Sequence, residues 1–465
     1  MKEAVVLYPS PAIGHLISMV ELGKLLLTHR PSLTVHILLI NQAYDAGDTV
    51  PYVSSVSATN PSISFHHLSA VSLPHDFKTT SPHHETLAFE LIRLNNPNIL
   101  HSLLTISEEY SVKAFIMDLF CSAALPVARD LGIPCYFFFA SGVGMLCFFF
   151  YLPCLHRTLT GSFKDMKSLL HVPGSPPIPT RDVPKPLQDR DDPAYVEFLD
   201  SSEKMQVADG VIVNSFEELE PRAFQAIVAG ECVPGKPTPP VYCIGPLISS
   251  KARKEKDEQE WSTWLDAQPG GSVVFLCFGS LGVFSEEQLK EIANGLERSG
   301  QRFLWVVKNP AATLKADFDL RPLLPEGFLE RTEQRGMVLK SWAPQVEVLR
   351  HPSVGGFMTH CGWNSVLEAV CAGVPMAAWP LYAEQRQNRV LMVEEIGIAV
   401  PVEESESGFV TGDEVEKRVN ELMGSDMGKQ LKEKLRWLKE EADVAMSPGG
   451  SSDVAQSKLV DSWKQ

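Results

Sequence analysis

A chain of 465 residues, 44% of them hydrophobic, is long enough for two domains with separate cores. Its formal net charge of −16 argues against a nucleic-acid partner or an anionic membrane surface and favours a small-molecule enzyme. The nine cysteines are odd in number, form no C-x-x-C pair and sit mostly in apolar runs. They read as reduced buried thiols of a cytoplasmic protein, with no catalytic or metal role.

In chain order, the opening run has too short an apolar stretch for a signal-peptide core, and Ala4 to Tyr8 reads as a first strand. A helix over Leu16 to Leu27 follows Gly14-His15, and further strands are expected at Thr34 to Leu39, Ala114 to Met117, Cys135 to Phe139 and Gly210 to Asn214. The uncharged run from Cys135 to Leu155 has membrane-span length, but Ala140-Ser-Gly-Val-Gly144 in its middle reads as a turn between a buried strand and a buried helix. The proline-rich 172–185 and the stretch 309–325 are expected to be long functional or mobile loops. An apolar-to-charged break after Pro239 to Pro246 marks a linker. Beyond it, strands are expected at 272–278, 303–307, 337–340, 354–358 and 375–379, with Ser285-Glu-Glu-Gln288 as a capping box. The plan is a domain over 1–246, a linker over 247–255, a second domain over 256–447 and a last helix, 448–465, returning to the first. Alternating strands and helices in both halves imply α/β, doubly wound parallel sheets.

Two places carry candidate chemistry. His15 follows the first strand, where parallel-strand ends line ligand crevices, so it either caps the helix or takes a proton near neutral pH. Asp118 ends another strand, where it either caps a loop or bonds the far nitrogen of His15. The second place is Trp342 to Gln385. Val354 to His360 reads as a buried strand, Cys361-Gly362 as a turn, and 364–373 as a helix with Asn364 as cap and Gly373 as stop. A strand, tight turn and helix start offer backbone N–H groups to phosphate oxygens, joined by the side chains of Asn364 and Ser365. His360 adds a donor or a positive charge. Glu368, one turn deeper, could accept two ribose hydroxyls, while Trp342 offers a stacking face and Gln345 an amide.

Together these residues resemble the signature box of the plant family 1 UDP-dependent glycosyltransferases, in order, spacing and length. The flavonoid- and chalcone-glucosylating branch is the most similar, on Met19 to Lys24 and Pro380 to Asn388. The resemblance implies a GT-B fold, with two Rossmann-like domains facing an interdomain cleft. It implies that Trp342 stacks on uracil, Ala343 bonds it through backbone groups, and Gln345 and Glu368 hold the ribose. His360, Asn364, Ser365 and Ser280 would meet the diphosphate, Gly362 would allow close approach, and Glu384 and Gln385 would bond the sugar. A final Gln in that box favours glucose, and Trp363 stands where glucuronic-acid users often carry Arg, so UDP-glucose is the expected co-substrate. The resemblance also makes His15 the general base and Asp118 its support in an inverting transfer to a phenolic hydroxyl. The reaction would need no cofactor and no metal, in a cytoplasmic monomer. Asp189-Arg-Asp191 and Asp317-Phe-Asp319 match the short Asp-x-Asp of metal-dependent transferases of another fold, but both lie in proline-flanked loops.

For the acceptor, Phe120, Ser141, Phe148, Tyr195, Phe198 and Tyr382 are the candidate lining. Carbon–carbon glycoside formation on an electron-rich phenol ring is the main alternative. A sugar-nucleotide epimerase or a non-catalytic UDP-sugar binder would not need the His15 and Asp118 pair.

Overall fold

Strand β1 (Lys2–Tyr8) shows why the sheets form: Ala4, Val6 and Tyr8 enter one apolar cluster and Val5 and Leu7 another, all without exposed surface. Both faces are covered, so the strand is apolar throughout rather than alternating. The structure, a computed structural model, describes residues 1–40, 49–73, 81–249, 258–310 and 318–463. It divides into two compact units, Met1–Ile248 with Val444–Gln465, and Ser249–Asp443.

In the first unit β1 is followed by β2 (Thr34–Leu39), β3 (Ile63–His67), β4 (Tyr110–Asp118), β5 (Cys135–Phe139), a short antiparallel ribbon of β6 (Leu169–Leu170) and β7 (Ile178–Pro179), then β8 (Gly210–Val213) and β9 (Val241–Cys243). The main sheet is parallel, in the order β3-β2-β1-β4-β5-β8-β9. Its order reverses between β1 and β4, the switch point at which doubly wound sheets open a crevice. The Ile13–His29 helix covers one face through Leu16, Met19, Val20 and Leu22. The Ser451–Ser462 helix joins the same cluster, with Ser452 Oγ donating to the Gly245 carbonyl at 2.5 Å.

In the second unit β10 (Val273–Cys277), β11 (Arg302–Val307), β12 (Gly336–Lys340), β13 (Val354–Thr359), β14 (Met376–Ala378) and β15 (Ala399–Pro401) form a parallel sheet ordered β12-β11-β10-β13-β14-β15, reversing between β10 and β13. The Glu286–Ser299 helix packs Leu289, Ile292, Ala293 and Leu296 onto Val274 and Leu276.

Several expectations are corrected. Strands β3, β6, β7, β9 and β15 are additional to those read from sequence. The proline-rich 172–185 is no mobile loop: β7 pins it, and Val172, Ile178 and Val183 are buried. The expected capping box is half formed. Ser285 Oγ accepts from Gln288 N, but the Gln288 amide donates to the Val410 carbonyl and accepts from Val410 N. The run from Cys135 to Leu155 splits, as expected, into β5 and the Val143–Thr158 helix. No described helix is long and apolar enough to cross a membrane. Residues 250–255 of the expected linker and 311–317 of the expected second loop lie outside the described residues.

Candidate functional site

The switch point of the first unit holds the histidine and the aspartate. β1 ends at Tyr8 and β4 at Asp118, adjacent in the sheet, and His15 lies in the first turn of the helix that follows β1. His15 Nδ1 donates to Asp118 Oδ2 at 2.7 Å, a close charge-assisted contact. Asp118 Oδ1 accepts from Phe120 N at 3.1 Å, so one carboxylate both caps the turn after β4 and orients the imidazole. The Asp118 side chain is 2% exposed and that of His15 32%, so the acid is sealed while the base can be reached from solvent. With Nδ1 held as the donor, Nε2 is the nitrogen that would take a proton.

Phe120 stands edge-on to His15, with ring centroids 5.8 Å apart. Phe120 also packs against Phe89 and Phe198, and Phe198 in turn against Phe149. Partial exposure makes Phe120 the member of this cluster able to meet a ligand beside His15. Phe148 has no exposed surface, and Tyr195 is buried with its hydroxyl on His156 at 3.0 Å. Neither presents exposed surface to a ligand: both are packed in the apolar cluster of the first unit. Phe198 and Ser141 are also buried, and Tyr382 belongs to the second unit, where its ring lies 5.9 Å from that of His360.

The switch point of the second unit gathers most of the remaining candidates. Gly279-Ser280 follows β10, and His360 follows β13, its neighbour in the sheet. Gly279 has φ +71°, and a Cβ there would fall 2.4 Å from His360 Nε2; one on Gly362 would fall 2.5 Å from the same atom. The ring is gripped between two glycines that no side chain could replace without moving it. Burial, with the charge of Lys308 added, lowers the pKa of His360 to about 4. Of the two readings the sequence left open, donor or positive charge, this lowering favours the neutral donor. Its Nδ1 is buried without a hydrogen-bond partner.

The helix after this turn is Trp363–Ala372, with Gly362 at the N-cap, so Asn364 is its second residue and not the cap. Trp363 is 2% exposed and anchors the helix start in the core. Gln345 Nε2 donates to Ser365 Oγ at 2.7 Å and to Glu368 Oε2 at 2.6 Å, bringing three candidates into one network. Burial raises the pKa of Glu368 to about 7, although part of its side chain meets solvent. Trp342 is 49% exposed, an unusual state for its indole, and Ala343 beside it is buried. Glu384 begins the Gln385–Val390 helix. Gln385 is buried, and its Oε1 accepts from Leu381 N and Tyr382 N, both at 2.9 Å, so the side chain braces the preceding loop. Only its amide N–H groups remain to address a ligand.

Among the described residues, three non-glycine positions have left-handed backbone: Ser341 (φ 66°), Cys361 (φ 67°) and Ala383 (φ 51°). Each immediately precedes or follows a candidate donor residue. Such strain, of order 1–2 kcal/mol each, clusters at functional sites. Asn388 Nδ2 steadies one of them by donating to the Cys361 carbonyl at 3.0 Å.

Lys308, directly after β11, was not singled out from sequence. Its ammonium donates to the Gly279 carbonyl, and burial lowers its pKa. A lysine at the carboxyl end of a buried parallel strand is the signal that could have found it. The Asp-x-Asp pairs serve local structure. Asp189 accepts from Lys164, Ser162 and Asp191 N, and Asp319 Oδ1 accepts from Arg321 N, while Asp317 lies outside the described residues.

The family model for UDP-glucoronosyl and UDP-glucosyl transferase matches residues 233–442. An anthocyanidin 5,3-O-glucosyltransferase of a Rosa hybrid cultivar is 49% identical, over 100% of this chain and 99% of the relative. A phloretin 2'-O-glucosyltransferase of Malus domestica is 47% identical, over 97% and 98%. Among solved structures, Phytolacca americana UGT2 complexed with UDP-2fluoro-glucose and pterostilbene is similar, with TM-score 0.89 and 39% identity over 100% of both chains.

Proposed function

The chain belongs to the plant family 1 UDP-dependent glycosyltransferases, with a GT-B fold, and from that membership we propose that it transfers glucose from UDP-glucose to a phenolic hydroxyl of a flavonoid or related polyphenol. The observation that carries the reading is the 2.7 Å bond between His15 and Asp118 beside Phe120. His15 Nε2 takes the phenol proton as the oxygen attacks the anomeric carbon. The bond from that carbon to UDP breaks in the same step, giving a β-glucoside from an α-linked donor. Asp118 stabilises the imidazolium that forms.

The donor is assigned to the second unit. Trp342 stacks on uracil with Ala343 on its edge, and Gln345 and Glu368 hold the ribose. Ser280, His360, Asn364, Ser365 and the start of the Trp363–Ala372 helix meet the charge developing on the diphosphate. Glu384 and the Gln385 amide bond the sugar. Donors already fixed in place supply this stabilisation without a metal, and we propose a metal-free cytoplasmic monomer.

Support for the acceptor class comes from relatives named for anthocyanidin and phloretin and a neighbour bound to pterostilbene, all phenolic. The test is incubation with UDP-glucose and a panel of phenolics, following UDP release, product mass and acid lability. An O-glucoside hydrolyses; a product that survives acid would replace this reading with carbon–carbon transfer. His15→Ala should lower kcat by at least about a hundredfold while UDP binding persists. Near-normal turnover in that variant would remove the base assignment.

A further inference from the structure

A diphosphate brings at least two negative charges, yet the histidine at the expected site is buried and neutral. The helix start offers only partial charge. Lys308 is the full cation beside that histidine. It follows β11, the sheet neighbour of β10, and its ammonium sits on the Gly279 carbonyl, at the turn whose Cα packs against the His360 ring. Among the described residues it makes no ion pair with a carboxylate; its titratable neighbours are His360 and the Cys277 thiol, whose pKa burial raises to about 11. A partly buried ammonium left without a counter-charge is costly, and a bound anion is what offsets that cost.

We propose that Lys308 is the cation of the diphosphate site, fixing the Gly279-Ser280 turn through the carbonyl it holds and supplying the positive charge that His360 does not. This rests on the donor site proposed above.

The test is calorimetric titration of the full-length protein, wild type, Lys308→Met and Lys308→Arg, with UDP and with uridine, which lacks the phosphates. Lys308→Met should bind UDP about tenfold more weakly, the loss of one charge-assisted contact, with uridine affinity unchanged and a shallower salt dependence for UDP. Lys308→Arg should stay within about threefold of wild type for both ligands. Three results overturn the proposal: UDP affinity of Lys308→Met equal to wild type, equal losses for UDP and uridine, which would make Lys308 a prop for the turn alone, or an arginine variant as weak as the methionine one. A wild-type protein that binds neither UDP nor uridine would instead remove the donor-site reading, and this proposal with it.

Discussion

Glu368 is a residue whose chemical state is set by its surroundings. Burial raises its carboxyl from 4.5 to about 7, against the opposing bond from Gln345. A carboxyl whose folded value exceeds its unfolded one holds its proton more tightly in the folded chain. Its contribution to stability is complete below about pH 4.5 and is lost as the pH climbs to about 7. Glu368→Gln keeps an acceptor for Gln345 but cannot ionise. It should therefore be more stable than wild type by about 3 kcal/mol at pH 8 and by less than about 1 kcal/mol at pH 5, measured by chemical denaturation. A difference independent of pH would mean that ionisation of Glu368 carries no penalty. The same variant should bind UDP more weakly, since a ribose diol is held better by two anionic oxygens than by one amide oxygen. The bond between His15 and Asp118 is expected from their places at two strand ends and from the family resemblance, neither of which needs coordinates. Charge states are not, because desolvation depends on which chains pack around a group. His360 could be read as cation or neutral donor until the glycines on either side of its ring were seen.

At the scale of elements, one carboxylate holds the helix behind the aromatic cluster. The Val143–Thr158 helix begins after Gly142, which offers no capping side chain. Glu220 supplies the cap from a distant segment: Oε2 accepts from Val143 N and Oε1 from Gly144 N, both at 2.8 Å, with Ser215 Oγ donating at 2.5 Å. Glu220→Ala would leave two buried N–H groups unmet at a positive helix end. The expected cost is about 3 kcal/mol in urea denaturation, with a smaller loss for Glu220→Gln, whose amide oxygen can serve one N–H. A loss under about 0.5 kcal/mol for the alanine variant would show that water replaces the cap. That contact spans more than seventy residues of sequence and no local pattern announces it. Local patterns served where one element decides its own fate, as in β1, β5, β10 and β13, apolar on both faces and bounded by turns. They failed for β3, whose Ser64 and His66 break the apolar run, and for β9 and β15, which have three residues each. Asn364 looked like a cap because asparagine favours that position, but Trp363 packs into the core and starts the helix one residue earlier. Gln288 had the spacing of a capping box, yet the Val410 backbone, far along the chain, took its amide.

On the scale of the molecule, the end of the chain completes the first unit. The Ser451–Ser462 helix and Trp463 bury Ala455, Leu459, Val460 and the indole in the cluster that holds Tyr136, Tyr242 and Ile244. Gln456 Nε2 donates to the Ile244 carbonyl at 3.1 Å. Ser462 Oγ donates to the Leu459 carbonyl at 2.6 Å, so the Tyr136 hydroxyl is the donor in its 2.8 Å bond to Ser462. β5 carries Tyr136, and β4, which ends in Asp118, lies beside it in the sheet. The return of the chain thus supports the strands behind the proposed base. Burial of Leu459 and Val460 alone is worth about 1.5–3 kcal/mol each, and the Trp463 indole adds to it. Deleting residues 451–465 should therefore lower the unfolding transition of the first unit in scanning calorimetry and abolish glucosyl transfer. The donor residues all lie in the second unit, so UDP affinity should stay within about threefold of wild type. UDP binding lost along with transfer would mean that the donor site depends on the completed first unit, against the assignment of donor recognition to the second unit alone.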